Sequence, residues 1–320
     1  MLRSCVIVLL FLISLLVNPV VGRSQINRRV AMDYVKLGTN ELEAGNLDSA
    51  LAHFERAIEL DPNYGASYFS RGLVRSRQRD YDGAITDFTR SITLKPMAEA
   101  YLNRGAMLKD KGDSDAAIAD YNKAIELNPS YADAFYNRAI AKDYKGDLDG
   151  AIGDFTRAIE LNPAHARAFV GRGFARIRKG DVDSALADYS KGIELNPRGF
   201  VGFYNRSFAR KYKGDLKGAI ADLSTALEIN PAEVNAWHER GILRAAIGEL
   251  DEALADFGKV IELDPRYAKA YANRGMIMLL RRHDTEAQRD FATALKLDSS
   301  LKATLEKSID QIVKIRPPQP

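Results

Sequence analysis

The sequence is poor in the residues from which chemical sites are usually built. Its 320 residues include one cysteine, one tryptophan and four histidines. One cysteine cannot form an internal disulfide bond, and four scattered histidines leave little material for a metal centre. Charge of one sign is also lacking, because 46 lysines and arginines face 43 aspartates and glutamates. The net charge of +3 is too small for a dedicated binder of nucleic acid or anionic membranes, so the composition favours a scaffold over a catalyst.

Catalytic motifs are absent as well. Gly171-Arg-Gly173 has no third glycine three residues on, so it does not form a dinucleotide-binding loop. His238-Glu239 begins a zinc-protease-like motif, but Ile242 stands where the second histidine must be. No Ser–His–Asp or Cys–His set is placed by a motif. We therefore predict that the protein is not an enzyme and has no catalytic residue, no cofactor and no bound metal.

A long hydrophobic run occurs only at the amino terminus. Residues 5–17 form an apolar stretch of 13 residues that only Ser14 interrupts. That length fits the core of a signal peptide and is shorter than the roughly 20 residues that span a bilayer. We expect residues 1–22 to be a signal peptide cleaved after Gly22 and residues 23–30 to be a linker. The mature chain would then be exported, periplasmic or secreted, and free of the membrane.

An alternative stays open for this segment. Arg23, Arg28 and Arg29 place as much positive charge after the apolar run as Arg3 and the amino terminus place before it. The positive-inside rule is therefore ambiguous here, and an uncleaved N-terminal membrane anchor is the competing interpretation.

The sequence does contain a repeat with a fixed period. Seven of its eleven prolines are spaced 34 residues apart, with one spacing of 33: Pro62, Pro96, Pro129, Pro163, Pro197, Pro231 and Pro265. Such a period is typical of chains built from repeated supersecondary units and overrides a domain count based on length. Placing each proline at position 32 defines eight repeats: 31–64, 65–97, 98–131, 132–165, 166–199, 200–233, 234–267 and 268–301.

Residue types recur at fixed positions of this repeat. Position 8 is always small, position 20 is always alanine, and position 4 is always aromatic. Position 24 is Phe or Tyr except for Leu223, and position 15 is glycine in six repeats. Glycine can end a helix in the left-handed conformation, and the Asp or Asn that mostly follows can cap the next helix. Each repeat is therefore predicted to form two helices, positions 1–14 and 16–29, in an all-α fold that packs small residues against aromatic rings.

These residues resemble the tetratricopeptide repeat family, whose pattern is Trp-x2-Leu-Gly-x2-Tyr, then Ala-x3-Phe-x2-Ala, then Pro. The resemblance covers Ala31 to Leu301. It implies a right-handed superhelical solenoid of helix-turn-helix repeats whose first helices line a concave face. It also implies a non-enzymatic scaffold or adaptor for protein–protein interaction. The chain departs from the pattern at position 7, where seven repeats have arginine, and at position 11, which is charged or aliphatic.

Arginine at position 7 and aspartate at position 23 recur together in repeats 2 to 8. Repeat 1 has Leu37 and His53 at these positions. Since repeat 1 lacks both, we expect the two residues to pair within a repeat and to bridge its helices. A charged stripe for ligands is the other interpretation. The residues are Arg71, Arg104, Arg138, Arg172, Arg206, Arg240 and Arg274 with Asp87, Asp120, Asp154, Asp188, Asp222, Asp256 and Asp290.

A last helix is predicted beyond the eighth repeat. Its apolar residues recur with helical spacing: Leu301, Leu305, Ile309, Ile312 and Val313. One apolar stripe at this place is typical of a helix that covers the exposed end of a repeat stack. We expect this capping helix over residues 302–315 and a tail over residues 316–320.

The candidate partner-binding residues come from the resemblance, which places positions 2, 5, 6, 9, 12 and 13 on the concave face. In related repeats an asparagine at position 6 hydrogen-bonds a ligand backbone, and tyrosine and arginine are enriched at binding hot spots. The candidates are Asn103, Asn137, Asn205, Asn273, Tyr136, Tyr144, Tyr204, Tyr212, Arg77 and Arg178. We expect them to hold an extended peptide segment of a partner protein whose identity the sequence does not give.

Other functions compete with this prediction. The protein could be a structural spacer or could self-associate through its end faces. A role as an envelope-associated enzyme accessory or a carbohydrate-binding module is less favoured, because it needs polar residues that converge in a pocket.

Overall fold

The described part of the chain is helical throughout. The structure, a computed structural model, describes residues 19–315, where it contains seventeen α-helices and no β-strand. The all-α fold of helix-turn-helix repeats is therefore confirmed. Residues 1–18, which carry most of the predicted signal peptide, lie outside the described residues, as does the predicted tail 316–320.

The chain divides into two compact units between Pro163 and Ala164. Unit 1, Met1–Pro163, contains the helices α1 (Pro19–Glu43), α2 (Leu47–Leu60), α3 (Gly65–Arg77), α4 (Tyr81–Leu94), α5 (Ala98–Asp110), α6 (Ser114–Leu127), α7 (Ala132–Tyr144) and α8 (Leu148–Leu161). Unit 2, Ala164–Pro320, contains α9 (Ala166–Arg178), α10 (Val182–Leu195), α11 (Phe200–Tyr212), α12 (Leu216–Ile229), α13 (Val234–Ala246), α14 (Leu250–Leu263), α15 (Ala268–Leu280), α16 (Asp284–Leu297), a 3-10 turn (Ser299–Leu301) and α17 (Lys302–Ile315).

The odd-numbered helices α1 to α15 are the first helices of the repeats, and the even-numbered helices α2 to α16 are the second helices. From repeat 2 onward the first helix occupies positions 1 to 13, and in all eight repeats the second helix occupies positions 17 to 30. The proline at position 32 ends the second helix because it forces the residue before it into extended backbone. Asn128, which precedes Pro129, has φ −139° and ψ 90°.

One residue with positive φ builds the turn between the two helices of each repeat. At position 15, six glycines have φ between +80° and +90°. Arg79 and Arg282 hold the same position in repeats 2 and 8, with φ of 62° and 65°. The backbone of the turn is therefore the same in all eight repeats, although two of them lack the glycine that favours it.

An aspartate after the turn caps the second helix, as the sequence predicts. In five repeats its carboxylate accepts a hydrogen bond of 2.9–3.2 Å from the backbone N–H three residues on: Asp80, Asp113, Asp147, Asp181 and Asp215. Asn46 differs, since its side-chain amide donates to Oε2 of Glu41 at 2.7 Å and makes no cap.

The two helices of a repeat approach closely because position 8 is small. A Cβ built on Gly173 would lie 2.8 Å from Cε1 of Tyr189, and the five other glycines at this position face a ring at 2.6–2.8 Å. In repeat 6 Ser207 occupies position 8, and there position 24 carries Leu223 instead of an aromatic ring. Leu223 is smaller than an aromatic residue and leaves room for the side chain of Ser207. The larger residue at position 8 is thus compensated by a smaller one at position 24.

Seven arginine–aspartate pairs bridge the helices within repeats 2 to 8, as predicted. Each guanidinium donates from Nε and Nη2 to the two carboxylate oxygens, and the Nη2 distances are 2.7–2.8 Å. All seven aspartates are buried. The forked, two-bond geometry explains why arginine and not lysine stands at position 7.

Two further contacts extend these pairs. In five repeats a cation at position 11 reaches the same carboxylate at 2.7–3.0 Å: Arg75, Lys142, Arg176, Arg210 and Arg244. The position-7 guanidinium also reaches the preceding repeat, as where Nη1 of Arg138 donates to Oδ1 of Asn122 at 2.6 Å. The charged residues at position 11, which depart from the family pattern, are therefore part of the core of the repeats.

Helix α1 is longer than predicted, and the assignment of residues 23–30 to a linker is wrong. The helix runs without a break from Pro19 to Glu43. Arg28 fixes it to the turn after repeat 1, since its guanidinium pairs with Asp61 and lies 4.8 Å from the ring centroid of Tyr64. No proline follows Pro19 within this segment, and these long-range contacts hold the extra turns in place.

Helix α17 covers the carboxyl-terminal end of unit 2. Leu305 is buried in a cluster with Leu279 and Phe291, and Ile309 and Ile312 pack around them. Val313, which the predicted stripe includes, is exposed. Since consecutive helical residues point about 100° apart, Ile312 takes the inward direction and Val313 points away from it.

Candidate functional site

First helices of successive repeats contact one another within each unit. In unit 1, α1 contacts α3, α3 contacts α5 and α5 contacts α7, and in unit 2, α9 contacts α11 and α13 contacts α15. Each second helix instead packs against the first helices beside it. Successive first helices therefore lie closer together than successive second helices. We call the solvent-exposed surface of the first helices the inner face of a unit.

The two candidate tyrosines of unit 1 lie in different surroundings. Tyr136 is 8% exposed and packs against Phe155 with a ring-centroid distance of 5.8 Å. The ring fills the space beside a neighbouring core ring and exposes little surface to a ligand, and a ligand contact of Tyr136 stays a prediction. Tyr144, the last residue of α7, is 78% exposed.

The remaining candidates of unit 1 lie on the first helices and are partly engaged there. Nη1 of Arg77 donates to the backbone carbonyl of Leu42 at 2.7 Å and so satisfies an acceptor at the end of α1. Nδ2 of Asn103 donates to the carbonyl of Glu99 at 2.7 Å, one turn earlier in the same helix. Asn137 is half-buried on α7. Arg77 is thus a structural residue, a role that its residue type alone did not indicate.

In unit 2, three of the candidate partner-binding residues lie on one helix. Tyr204, Asn205 and Tyr212 all lie on α11; the first two are half-buried and Tyr212 is 79% exposed. Arg178 is exposed at the last residue of α9. Asn273 lies on α15 and is engaged by a neighbouring histidine.

Two phenylalanines that the sequence analysis did not select join Tyr204 and Tyr212 in what we call the aromatic column. Its members are Phe200, Tyr204, Phe208 and Tyr212, spaced four residues apart on α11. The rings of Phe200 and Tyr204 stack at 5.2 Å between centroids, and those of Tyr204 and Phe208 meet edge to face at 5.0 Å. Since residues four apart lie on one side of a helix, the spacing in the sequence was the available signal.

Apolar side chains beside the column are exposed. Phe174 on α9 and Phe208 on α11 both hold position 9 of their repeats, and they are 45% and 36% exposed. Val201, at the start of α11, is 56% exposed. Because α9 and α11 are in contact, Phe174 lies on a helix that neighbours the one carrying Val201 and Phe208, and all three side chains belong to the inner face of unit 2.

Charge on the inner faces differs between the units. Helices α9 and α11 carry seven cationic side chains and no carboxylate: Arg167, Arg172, Arg176, Arg178, Arg206, Arg210 and Lys211. Two aspartates of second helices, Asp188 and Asp222, pair with four of them. Helices α5 and α7 of unit 1 carry four cations and four carboxylates. Lys211 pairs with Glu239 of α13. Helices α9 and α11 are therefore richer in cationic residues than α5 and α7, but five of these seven cations pair with carboxylates of neighbouring helices.

A hydrogen-bonded group around His238 lies on the first helices α13 and α15 of unit 2. Nδ2 of Asn273 lies 3.1 Å from Nε2 of His238, and the hydroxyl of Tyr267 lies 3.4 Å from Nδ1. Donation from Nδ2 of Asn273 to Nε2 requires the neutral ring with its proton on Nδ1. Burial lowers the pKa of His238 from its ordinary value of 6.5, against an opposing effect of Glu239. In the sequence alone, this histidine stands out only as half of a zinc motif.

The described residues contain neither a metal-binding cluster nor a membrane-spanning helix. Among them, no group of histidine, cysteine and acidic side chains is arranged to hold a metal ion. Within the same part of the chain, no helix is long and apolar enough to cross a membrane.

The fold and this surface define the class of repeat scaffolds, in which stacked helical hairpins expose an extended area for binding. Models of the tetratricopeptide repeat match residues 35–96, 98–131, 136–199 and 209–268, which is more than half of the chain. The chain belongs to the tetratricopeptide repeat family. Repeats of this family generally serve as non-enzymatic protein-interaction scaffolds.

Individual proteins similar to the chain agree with this assignment. Tetratricopeptide repeat protein 36 of Mus musculus is 40% identical over 57 residues, which are 18% of this chain and 31% of that protein. The chain thus matches less than a third of that relative's length.

Solved structures share the fold at low identity. A tetratricopeptide repeat protein of Parabacteroides merdae is 20% identical, with a TM-score of 0.58 over 78% of this chain and 99% of that one. The pilF protein of Pseudomonas aeruginosa is 16% identical, with a TM-score of 0.60 over 69% of this chain and 99% of that one.

Proposed function

We propose that the protein is a non-enzymatic adaptor that binds extended segments of a partner protein on the inner faces of its units. The observation that carries this proposal is the set of exposed apolar side chains on the contacting helices α9 and α11. Apolar areas of this kind on soluble proteins commonly mark interaction sites, because a partner removes them from water. Asn137 and Asn205 lie two helical turns before the exposed tyrosines of α7 and α11 and supply amide groups that can pair with a peptide backbone.

A capture experiment with unit-specific variants tests this proposal. One variant carries Asn137→Ala and Tyr144→Ala, a second carries Asn205→Ala and Tyr212→Ala, and a third combines all four. Each lost hydrogen bond costs about 1–3 kcal/mol, and affinity falls tenfold for about every 1.4 kcal/mol. We expect the combined variant to lose partner capture from an extract of the source cells, and the separate variants to show which unit contributes.

The control uses exposed residues of a second helix. Lys217→Ala with Glu228→Ala changes two exposed side chains of α12 and should leave capture unchanged. Circular dichroism and thermal melting must show that all variants are folded. Undiminished capture by the folded combined variant would place the binding site outside these inner-face positions.

Self-association is a second candidate function, favoured by a separate apolar face on α1. Ile26, Val30 and Leu37 lie on one side of this helix and are exposed. If this face joins two copies, Ile26→Ser with Leu37→Ser should lower the mass measured by sedimentation equilibrium. A single monomeric species in the unaltered protein would exclude this function.

We also propose that the chain is exported, on the sequence evidence of residues 1–22. Cleavage after Gly22 would leave α1 beginning near Arg23 and would retain Arg28 with its contacts to Asp61 and Tyr64. Sequencing the amino terminus of the protein isolated from its source cells tests this expectation. A chain that starts at Met1 would favour the uncleaved anchor.

A further inference from the structure

We propose that two copies of the chain associate through helix α1, with the two α1 helices packed side by side and antiparallel. This inference rests on the self-association given above as the second candidate function, and it adds the orientation of the copies and the ion pairs between them. It is carried by two independent observations: the place of an exposed face at the amino-terminal end of unit 1, and the order of charges along that face.

The face lies on the side of α1 where another repeat would pack. In four repeats, Nη1 of the position-7 arginine donates to a position-25 side chain of the preceding repeat at 2.6–3.1 Å, as where Arg206 donates to Ser190. Repeat 1 carries Leu37 at position 7, and no repeat precedes it within the described residues. Leu37 is 49% exposed. Position 7 of repeat 1 is therefore an apolar contact without its usual neighbour.

Exposed residues on this side of α1 form what we call the end face. They recur at spacings of three and four residues, which is the spacing that paired helices use for their contact seam. All of them are exposed, and they are Ile26, Val30, Asp33, Leu37, Asn40 and Ala44. The end face is about 27 Å long at 1.5 Å per residue, so a second helix fits it.

The amino-terminal half of the end face is held in place by long-range contacts. Arg28 pairs with Asp61, and its guanidinium lies 4.8 Å from the ring centroid of Tyr64. These contacts fix the turns that carry Ile26 and Val30 against the rest of unit 1. The end face is therefore preorganised, and little conformational entropy is lost when a second copy binds it.

Charges on and beside the end face determine the direction of the second helix. Arg29, Asp33, Lys36 and Glu43 alternate in sign along α1 and are all exposed. Within residues 19–315 none of the four pairs with an opposite charge of the same chain. Reversing the helix turns the order plus, minus, plus, minus into minus, plus, minus, plus. An antiparallel copy therefore places opposite charges against each other, whereas a parallel copy in the same register places like against like.

An antiparallel register centred between residues 35 and 36 suits both the charges and the apolar side chains. Arg29 of one copy then lies opposite Glu43 of the other, and Asp33 lies beside Lys36. Leu37 lies close to the two-fold axis and beside its own counterpart, and Ile26 faces Ala44. Because the contact is isologous, each of these pairs occurs twice.

Other occupants of the end face are less well matched. A head-to-tail contact would need the carboxyl-terminal end of unit 2, where α17 already buries Leu305 against Phe291. An anionic lipid surface would attract Arg29 and Lys36 but would repel Asp33 on the same face. Two amino-terminal ends, by contrast, are both uncovered in the described chain and complement each other in charge.

Disulfide cross-linking in the full chain tests the orientation. All chains carry Cys5→Ser, so that only an introduced thiol reacts. Differently tagged chains with Arg29→Cys and Glu43→Cys should form a mixed adduct on oxidation, and each should form little adduct with itself. Leu37→Cys should form an adduct with its own copy. Ala221→Cys, at an exposed position of α12, controls for chance collisions.

Exchange of the two charges provides a second measurement, by sedimentation equilibrium. Arg29→Glu and Glu43→Arg should each weaken self-association several-fold, and the variant with both changes should restore it. These residues are 14 positions apart, about 21 Å along α1, so the restoration requires a contact between copies. Lys217→Glu reverses an exposed charge of α12 and should leave self-association unchanged.

Failure of this arrangement can be told apart from failure of self-association. If Ile26→Ser with Leu37→Ser lowers the mass, but the mixed adduct does not exceed the Ala221→Cys control or Arg29→Cys links to itself, the antiparallel arrangement is wrong and self-association stands. A single monomeric species up to about 100 μM excludes both. Binding of the monomer to phosphatidylglycerol vesicles, lost in Arg29→Glu, would assign the end face to lipid instead. Partner capture by the inner faces is measured separately and does not depend on these results.

Discussion

Arg79 shows how a single residue can carry backbone strain that six of the eight repeats avoid. It holds the turn position at φ 62°, where six other repeats have glycine at φ of +80° to +90°. A side chain in the left-handed region costs about 1–2 kcal/mol because its Cβ crowds the following carbonyl oxygen. Glycine has no Cβ and avoids that cost. It also increases the conformational entropy of the unfolded chain, which offsets part of the gain in stability.

We therefore predict that Arg79→Gly stabilises the protein by about 1 kcal/mol. The free energy of unfolding from urea titration measures this change. Gly146→Ala is the matched control in repeat 4, where a Cβ would meet no atom within 4 Å, so that only backbone strain is added. It should destabilise by about the same amount. A loss of stability in Arg79→Gly would contradict the account of the turn.

His238 gives unit 2 a stability that depends on pH. Burial lowers the pKa of His238 below 6.5, so the folded state favours the neutral ring that accepts a hydrogen bond from Asn273. The unfolded chain takes up the proton more readily. The stability contributed by His238 is therefore fully present above the unfolded pKa and is lost as the pH falls below it.

We predict that His238→Gln flattens the pH dependence of stability between about pH 8 and about pH 5, where histidine titrates. The unaltered protein should lose more unfolding free energy over this range than the variant. Urea titrations at the two pH values measure the difference. Equal losses in both proteins would show that His238 is not the source of the dependence.

At the scale of the helix pair, the buried arginine–aspartate pairs are the most specific link between the first and second helices. Arg138 donates two hydrogen bonds to Asp154, and Lys142 adds a third contact at 2.8 Å. Removing Asp154 leaves Arg138 and Lys142 without their carboxylate, and removing Arg138 leaves the buried Asp154 with Lys142 alone, so either change is costly. The contact between Arg138 and Asp154 is lost only once when both are removed.

We predict that Arg138→Ala and Asp154→Ala each destabilise the protein by about 2 kcal/mol or more, and that the double variant loses less than the sum of the two. The coupling energy should be about 1–3 kcal/mol. Urea unfolding of the two single variants and the double variant completes the cycle. Additive losses would mean that the two side chains do not interact.

The sequence predicted the helix pair well because the relevant signals are local or recur in every repeat. Proline at position 32 and the turn residue at position 15 determine where helices end, and the small residue at position 8 matches the ring at position 24. The joint absence of arginine and aspartate in repeat 1 predicted their pairing. Residues 23–30 were assigned wrongly, because the contacts of Arg28 to Asp61 and Tyr64 join distant parts of the sequence.

The candidate site was less predictable. The exposure of a side chain depends on the residues that pack beside it, and these differ between repeats at the same position. Tyr136 and Tyr204 share position 5, yet Tyr136 is buried beside Phe155 and Tyr204 is only half-buried in the aromatic column. Arg77 was chosen for its type, but a carbonyl of the preceding repeat binds its guanidinium. Phe208 was passed over because only asparagine, tyrosine and arginine were considered.

At the scale of the whole molecule, one architecture presents surfaces of different chemistry. Both units are stacks of the same hairpin, with first helices that contact one another and form an inner face. The inner face of unit 2 carries exposed aromatic and aliphatic side chains among cations, whereas α5 and α7 of unit 1 carry balanced charge. Since the buried positions are constrained by packing, binding chemistry can vary at the exposed positions without loss of the fold.

The central claim is that a protein partner binds the inner faces. Site-specific photo-cross-linking in the source cells tests it most directly, with a benzophenone amino acid placed at Tyr144 or Tyr212 on first helices, or at Ala221, an exposed position of the second helix α12. The account predicts a discrete protein adduct from Tyr144, from Tyr212 or from both, and none from Ala221. Adducts from Ala221 with none from either tyrosine would contradict it.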